Sequence, residues 1–193
     1  ADKVLMAVGR RANVGTLNLA DIGVEFSPRG IAVDGNMQTN VPHVYAVGDV
    51  NGLMMLAHAA TFQGIRALDA IMGVDDNLRL DVIPAAVFTM PEVGMVGLTE
   101  DDCKAQGIEY VAKKAFFRAN GKAVCLDETD GYCKLIAAAD GRLLGCHIYG
   151  PHAADLVQEA CALITRGHSI ADLQGNVHSH PTLSELVQSA AHR

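Results

Sequence analysis

The segment HSHPTLSE, residues 178–185, is the densest group of titratable side chains near the C-terminus. It places His178 and His180 two residues apart, Pro181 directly behind the second, and Glu185 five residues beyond that same histidine. Three chemistries suit these residue types. In the first, Thr182 and Glu185 stand in the Ser/Thr-x-x-Glu relation of a capping box, and a helix starting near Pro181–Leu183 accounts for both. In the second, Glu185 accepts a hydrogen bond from the His180 imidazole. A histidine held by a carboxylate has one tautomer fixed and its basicity raised, which suits a general base at neutral pH. Pro181 would then fix the backbone that aims the ring, through a cis His180–Pro181 bond. Capping and base roles coexist only if the two carboxylate oxygens are divided between them. In the third, His178 and His180 share one face of an extended segment and ligate a metal. No Asp, Glu, His or Cys at recognisable spacing supplies a third ligand. Spacing alone leaves the three open.

The rest of the chain must build what holds that segment. With 193 residues, half of them hydrophobic and 19% charged, a packed core is expected and disorder is not. A net charge of −7 and a pI near 5.5 leave no basic block to displace counterions from phosphates, so nucleic-acid binding is not expected. No apolar run approaches the roughly 20 residues of a membrane span, and the start carries no signal peptide. Five cysteines with no CxxC pair read as reduced thiols, buried, in a cytoplasmic protein. DKVLMAV, residues 2–8, reads as a buried strand beginning on the second residue, which suggests a fragment of a larger fold.

After that strand a loop holds one short helical stretch closed by Gly23. Turns at Pro28–Gly30 and Asp34–Gly35 precede a short apolar strand, Val44–Val47, ending in Gly48–Asp49. A helix is expected from about Leu56 to Met72, because Ala57, Ala60, Ile65, Leu68 and Ile71 recur at helical spacing and Gly73 stops it. VDDNLRL, residues 74–80, is the linker candidate. Beyond it come the β segments AAVFT, VGMVGL and EYVAKKAFF, then the clearest hairpin, CKLIAAADGRLLGCHIYG. There Asp140–Gly141 supplies two positive-φ positions of a tight turn. A helix over about 152–166, ended by Gly167, and another from Thr182 complete the pattern. The fold class is α+β, an antiparallel sheet with flanking helices.

Besides HSHPTLSE, five segments in order carry a likeness: VGRRAN, TNVPHVYAVGDV, MLAHAA, IPAAVFTMPEVGMVGLTE and NGKAVCLDETDGYCKLIAAADGRLLGCHIYGPHAADL. Together they resemble the flavin-dependent pyridine nucleotide–disulfide oxidoreductases, nearest to the dihydrolipoamide dehydrogenase branch. The resemblance implies the end of a nicotinamide-binding domain at residues 1–9. It implies the C-terminal part of an FAD-binding domain at 10–76, and an interface or dimerisation domain at 77–193. The implied reaction passes electrons from dihydrolipoamide through a cysteine pair and FAD to NAD. His180 matches the base that takes a proton from the dithiol, and Glu185 its orienting partner. His178 matches a position without a chemical role, and no residue is assigned to a metal.

On the flavin side, Gly48 and Asp49 match a flavin contact in which a carboxylate at a strand's end accepts hydrogen bonds from ribityl hydroxyls. The glycine permits close approach of backbone. Met55, Leu56, Ala57 and His58 match the opening of a helix beneath the isoalloxazine ring. Free N–H groups and the positive dipole end there stabilise charge on the reduced flavin. Gly9 matches a crossing point that touches the pyridine cofactor, and Ala12 replaces the family's usual proline nearby. The sequence contains neither a GxGxxG segment nor a redox cysteine pair. The chain is therefore expected to be inactive alone, with FAD and NAD held only by a full-length protein. Expected partners are a second copy, paired through residues 77–193, and the dihydrolipoyl group of a carrier domain. In such a pair the histidine of one chain serves the flavin and disulfide of the other. The alternatives are a glutathione reductase-like enzyme of the same fold and a non-catalytic dimerisation module.

Overall fold

Residues 2–8 form no strand in the structure, a computed structural model that describes residues 1–193. Val4, Leu5, Met6 and Val8 are almost fully exposed. A strand exists only where a neighbour takes its N–H and C=O groups, and no other segment of this chain pairs with this one. The expected buried strand is corrected on that ground. The same reasoning corrects Val44–Val47, where only Tyr45 bridges, to Gln38. The chain then turns into a 3₁₀ helix, Gly48–Asn51.

The chain divides into two units, Ala1–Leu80 and Asp81–Arg193. In the first, a 3₁₀ helix, Leu19–Ile22, and a hairpin of β1 (Phe26–Ser27) and β2 (Gly30–Ile31) enclose a small core. Leu19, Val24, Ile31 and Ala46 form its centre. Helix α1 spans Ala57–Met72 and ends where Gly73 enters the left-handed region. Its buried line is Ala59, Gln63 and Ala67, not the stripe of larger apolar residues. Ile65, Leu68 and Ile71 are exposed, because the small residues face the 3₁₀ turn. Arg66 grips Asp76 with two donors and also reaches the carbonyls of Leu78 and Gly35. The linker candidate is thus tied to α1 by one planar guanidinium.

The second unit is built on five antiparallel strands in the order β3-β4-β7-β6-β5. These are β3 (Ala85–Val87), β4 (Glu92–Gly97), β5 (Tyr110–Phe116), β6 (Tyr132–Ala138) and β7 (Leu143–Gly150). Alternation sends Val96, Cys133, Leu135, Cys146 and Ile148 to one face, all buried. Helices α4 (Ala153–Thr165) and α6 (Glu185–Ala191) cover that face with Val157, Ala160, Ile164, Leu186 and Val187. Each buried Val, Leu or Ile among them contributes about 1.5–3 kcal/mol. Gly94 lets α4 come close, since a Cβ there would lie 2.2 Å from the Ala153 carbonyl oxygen. On the other face Ile136 and Leu144 pack with Cys103 of α2 (Glu100–Ala105).

Three details depart from expectation. The β6–β7 turn needs one positive φ, at Gly141, not two: Ala138 C=O accepts the Gly141 N–H, and Gly141 makes the bulge. Helices α2, α3 (Gly121–Leu126) and α5 (Ile170–Gly175) lie where none was read. The first and last of these open on capping boxes, Thr99 with Asp102 and Ser169 with Asp172. The last helix starts at Glu185 rather than Thr182. Of the cysteines, Cys103, Cys133 and Cys146 are buried, Cys161 is half-buried and Cys125 is exposed, and all are free. No helix is long and apolar enough to cross a membrane.

Candidate active site

The segment joining α5 to α6 carries His178 and His180, and α6 begins with Glu185. Burial of Leu186, Val187, Ala190 and Ala191 plants α6 in the core, which fixes the glutamate just ahead of them. Asn120, itself buried, donates to the Thr182 carbonyl at 3.0 Å and caps α3 with its other end. His180 Nδ1 lies 2.9 Å from Glu185 Oε1, while Glu185 Oε2 accepts the Thr182 backbone N–H at 2.8 Å. The two oxygens are divided between ring and backbone. Only half of the capping box forms, because the Thr182 hydroxyl donates to the Ser179 carbonyl instead of accepting an N–H. The His180–Pro181 peptide is cis.

A carboxylate only accepts, so the ring nitrogen facing it carries the proton and Nε2 keeps its lone pair. The His180 side chain is 76% exposed and that of Glu185 24%. The Thr182 N–H, then the His180 hydrogen bond, hold the Glu185 carboxyl below the usual carboxylate range. An anion therefore stands behind a basic nitrogen that faces outward. His178 is placed differently. Its side chain is 5% exposed and its Nε2 lies 3.0 Å from Glu159 Oε2. The two histidines thus turn to different carboxylates, and no group of three or more His, Cys, Asp or Glu is placed to hold a metal ion.

In the first unit Gly48 has φ +77° and gives its N–H to Gln63 Oε1 at 2.7 Å. Asn51 Nδ2 donates to the same oxygen at 2.9 Å, so one buried amide fixes both ends of the 3₁₀ turn. Asp49 projects from that turn, with Arg10 Nη1 at 3.9 Å. Arg10 Nη2 donates to the Met55 carbonyl at 2.8 Å, which joins residue 55 to the same cluster. Leu56 is the N-cap of α1 and offers no side-chain hydrogen bond, and the first turn, with Ala57 and His58, has no acid. Its N–H groups leave a positive helix end. Gly9, at φ +104°, would have nothing within 4 Å of a Cβ and directly precedes Arg10. Sequence reasoning passed over Arg10, Gln63, Asn120 and Glu159. For Gln63 a signal existed, since a polar residue sits between Ala59 and Ala67 on a line of small residues.

Residues 83–191 match the family model described as pyridine nucleotide-disulphide oxidoreductase, dimerisation domain. Residues 1–64 match that of pyridine nucleotide-disulphide oxidoreductase. A dihydrolipoyl dehydrogenase of Bacillus subtilis is 42% identical over 99% of this chain and 41% of its own length. One from Synechocystis is 44% identical over 100% of this chain and 43% of its own length. The chain thus spans about two fifths of the length of these curated relatives. Among solved structures, LpdA of Mycobacterium tuberculosis superposes with a TM-score of 0.88 at 26% identity, over 97% of this chain and 42% of that one. The HOCl-induced flavoprotein disulfide reductase RclA of Escherichia coli shares the fold, with a TM-score of 0.84 at 21% identity over 96% of this chain and 44% of that one. An antiparallel sheet backed by two helices, the pairing of residues 180 and 185, and a family match over more than half of the sequence agree: the chain belongs to the pyridine nucleotide-disulphide oxidoreductase family.

Proposed function

We propose that the chain is the C-terminal part of a flavoprotein that oxidises dihydrolipoamide, with His180 as the base that accepts a proton from the substrate dithiol. The observation that carries this reading is the 2.9 Å contact between His180 Nδ1 and Glu185 Oε1, which leaves Nε2 as the exposed basic atom. The thiolate, not the thiol, attacks a disulfide, so a base beside the dithiol sets how much nucleophile is present. Nε2 takes the proton, the ring becomes a cation, and the ionised Glu185 stabilises it in place. The names of the relatives from Bacillus and Synechocystis support the substrate. Their greater length leaves room for a redox cysteine pair and two dinucleotide folds.

The first unit suits an FAD contact. A Cβ on Gly48 would meet Ala60 Cβ at 3.2 Å, and its left-handed backbone turns Asp49 outward. The Asp49 carboxylate would take hydrogen bonds from ribityl hydroxyls. Met55 and Leu56 lead into the first turn of α1 at Ala57 and His58, whose positive helix end would face the flavin ring. Gly9 would lie against the pyridine nucleotide. Bound FAD would supply the two-electron relay from the cysteine pair to NAD. Residues 10–76 would then complete an FAD-binding domain, after the end of a nicotinamide domain at 1–9. Residues 77–193 would pair two copies, as the dimerisation-domain match supports, and the dithiol would arrive as the dihydrolipoyl group of a carrier domain. The chain alone would turn nothing over.

Steady-state assays of the full-length protein test this. His180→Gln should lower lipoamide turnover by about 10²–10⁴-fold with FAD still bound, and Asp49→Ala should loosen FAD. Near-normal turnover in His180→Gln would overturn the base assignment.

A further inference from the structure

We propose that Glu159, on α4, is a positioning residue for His180: it holds the segment ahead of that histidine so that the ring meets Glu185. This rests on the reading of His180 as a base. Glu159 Oε1 accepts the Asn176 side-chain amide at 2.7 Å, and Oε2 faces His178 Nε2 at 3.0 Å. His178 Nδ1 lies 3.1 Å from the Asn176 carbonyl, to which Gln188 of α6 also donates at 2.9 Å. Residues 176–178 are therefore bound to α4 on one side and α6 on the other. Apolar burial does not hold them, because Val177 between the two anchors is 91% exposed. Only Ser179 separates the anchored His178 from His180, so the direction of the second ring is set by the first.

Both ring nitrogens of His178 face oxygens, and Glu159 is the partner that reaches two residues of the segment at once. A glutamine at 159 can keep both links: its oxygen accepts from Asn176 and its amide N–H donates to His178 Nε2. An alanine keeps neither. The proposal is thus one of geometry, separable from charge.

Long-range ¹H–¹⁵N spectra of the histidines in the 193-residue chain, at one neutral pH, read it directly. In the parent chain His180 should show one tautomer, with the proton on Nδ1. Glu159→Ala should bring the two His180 nitrogen signals together as the tautomers mix. Glu159→Gln should retain the separation, and His147, on β7 outside the network, should not change in either variant. If Glu159→Ala does not fold, Asn176→Ala removes one of the two links from its other end and should show a smaller loss of the same kind. A His180 tautomer unchanged in the alanine variants, no rescue by Glu159→Gln, or equal disturbance at His147 would each overturn the proposal. These spectra read geometry alone. If His180 were no base, unchanged turnover in His180→Gln would say so while the spectra came out as expected.

Discussion

Replacing Gln63 by leucine tests how the 3₁₀ turn that carries Asp49 is held. The two side chains have similar volume, so packing changes little, while two buried donors lose their acceptor. The Gly48 N–H, now 2.7 Å from Gln63 Oε1, has no other hydrogen-bond partner and takes the full penalty of a buried unsatisfied group, about 1–3 kcal/mol. Asn51 Nδ2 keeps the Ala46 carbonyl at 3.1 Å and so loses less, about 0.5–1.5 kcal/mol. The sum is about 1.5–4.5 kcal/mol. With a urea m-value of about 2 kcal/mol/M, the midpoint for the unit Ala1–Leu80 should fall by about 1–2 M. Urea titration followed at the Gly48 amide by NMR reads that unit separately. A leucine variant within about 0.5 kcal/mol of the parent would refute the reasoning, because an unpaired buried N–H cannot be that cheap.

Acid titration should expose the ionised Glu185. Its folded carboxyl titrates below the usual value, because the Thr182 N–H and His180 hold the anion. Its contribution is therefore present above the unfolded carboxylate pKa and lost as pH falls through the lower folded one. Between about pH 5 and pH 2 the parent should lose stability more steeply than Glu185→Gln, measured by thermal midpoints. Gly94→Ala should cost about 1–3 kcal/mol, since its Cβ would press on the Ala153 carbonyl of α4. Chemical denaturation checks this, and an unchanged midpoint would contradict the tight strand–helix contact. Native thiol alkylation followed by mass spectrometry should modify Cys125 first and Cys161 next, and should spare Cys103, Cys133 and Cys146 until the chain unfolds. Burial pushes the Cys103 and Cys161 thiols up, and the contact with Cys146 followed by burial does the same to Cys133, which slows them further.

Local signals were the legible ones. Gly23, Gly73 and Gly167 end helices because left-handed backbone is cheap for glycine, and the Asp140–Gly141 turn places the β6–β7 hairpin. The proximity of His180 and Glu185 follows from five residues wrapped about a helix start. What pairing decides was not legible. Residues 2–8 have strand composition, yet no partner strand in this chain, and the Leu68–Ile71 side of α1 is apolar yet uncovered. The capping boxes at Thr99 and Ser169 were readable but lay in short polar stretches without a clear helical period. The Glu159–Asn176–His178 network joins residues 17 and 19 apart, and no spacing rule announces it.

The central claim is that His180, oriented by Glu185, removes a proton from a thiol. Rapid mixing of the proposed full-length flavoprotein with dihydrolipoamide tests it most directly, by comparing the rate of flavin reduction in the parent and in His180→Gln at equal FAD content. The expected result is a rate lower by about 10²–10⁴-fold with flavin occupancy unchanged. A variant that reduces its flavin within about threefold of the parent rate, a difference of only about 0.7 kcal/mol in barrier, would contradict the account.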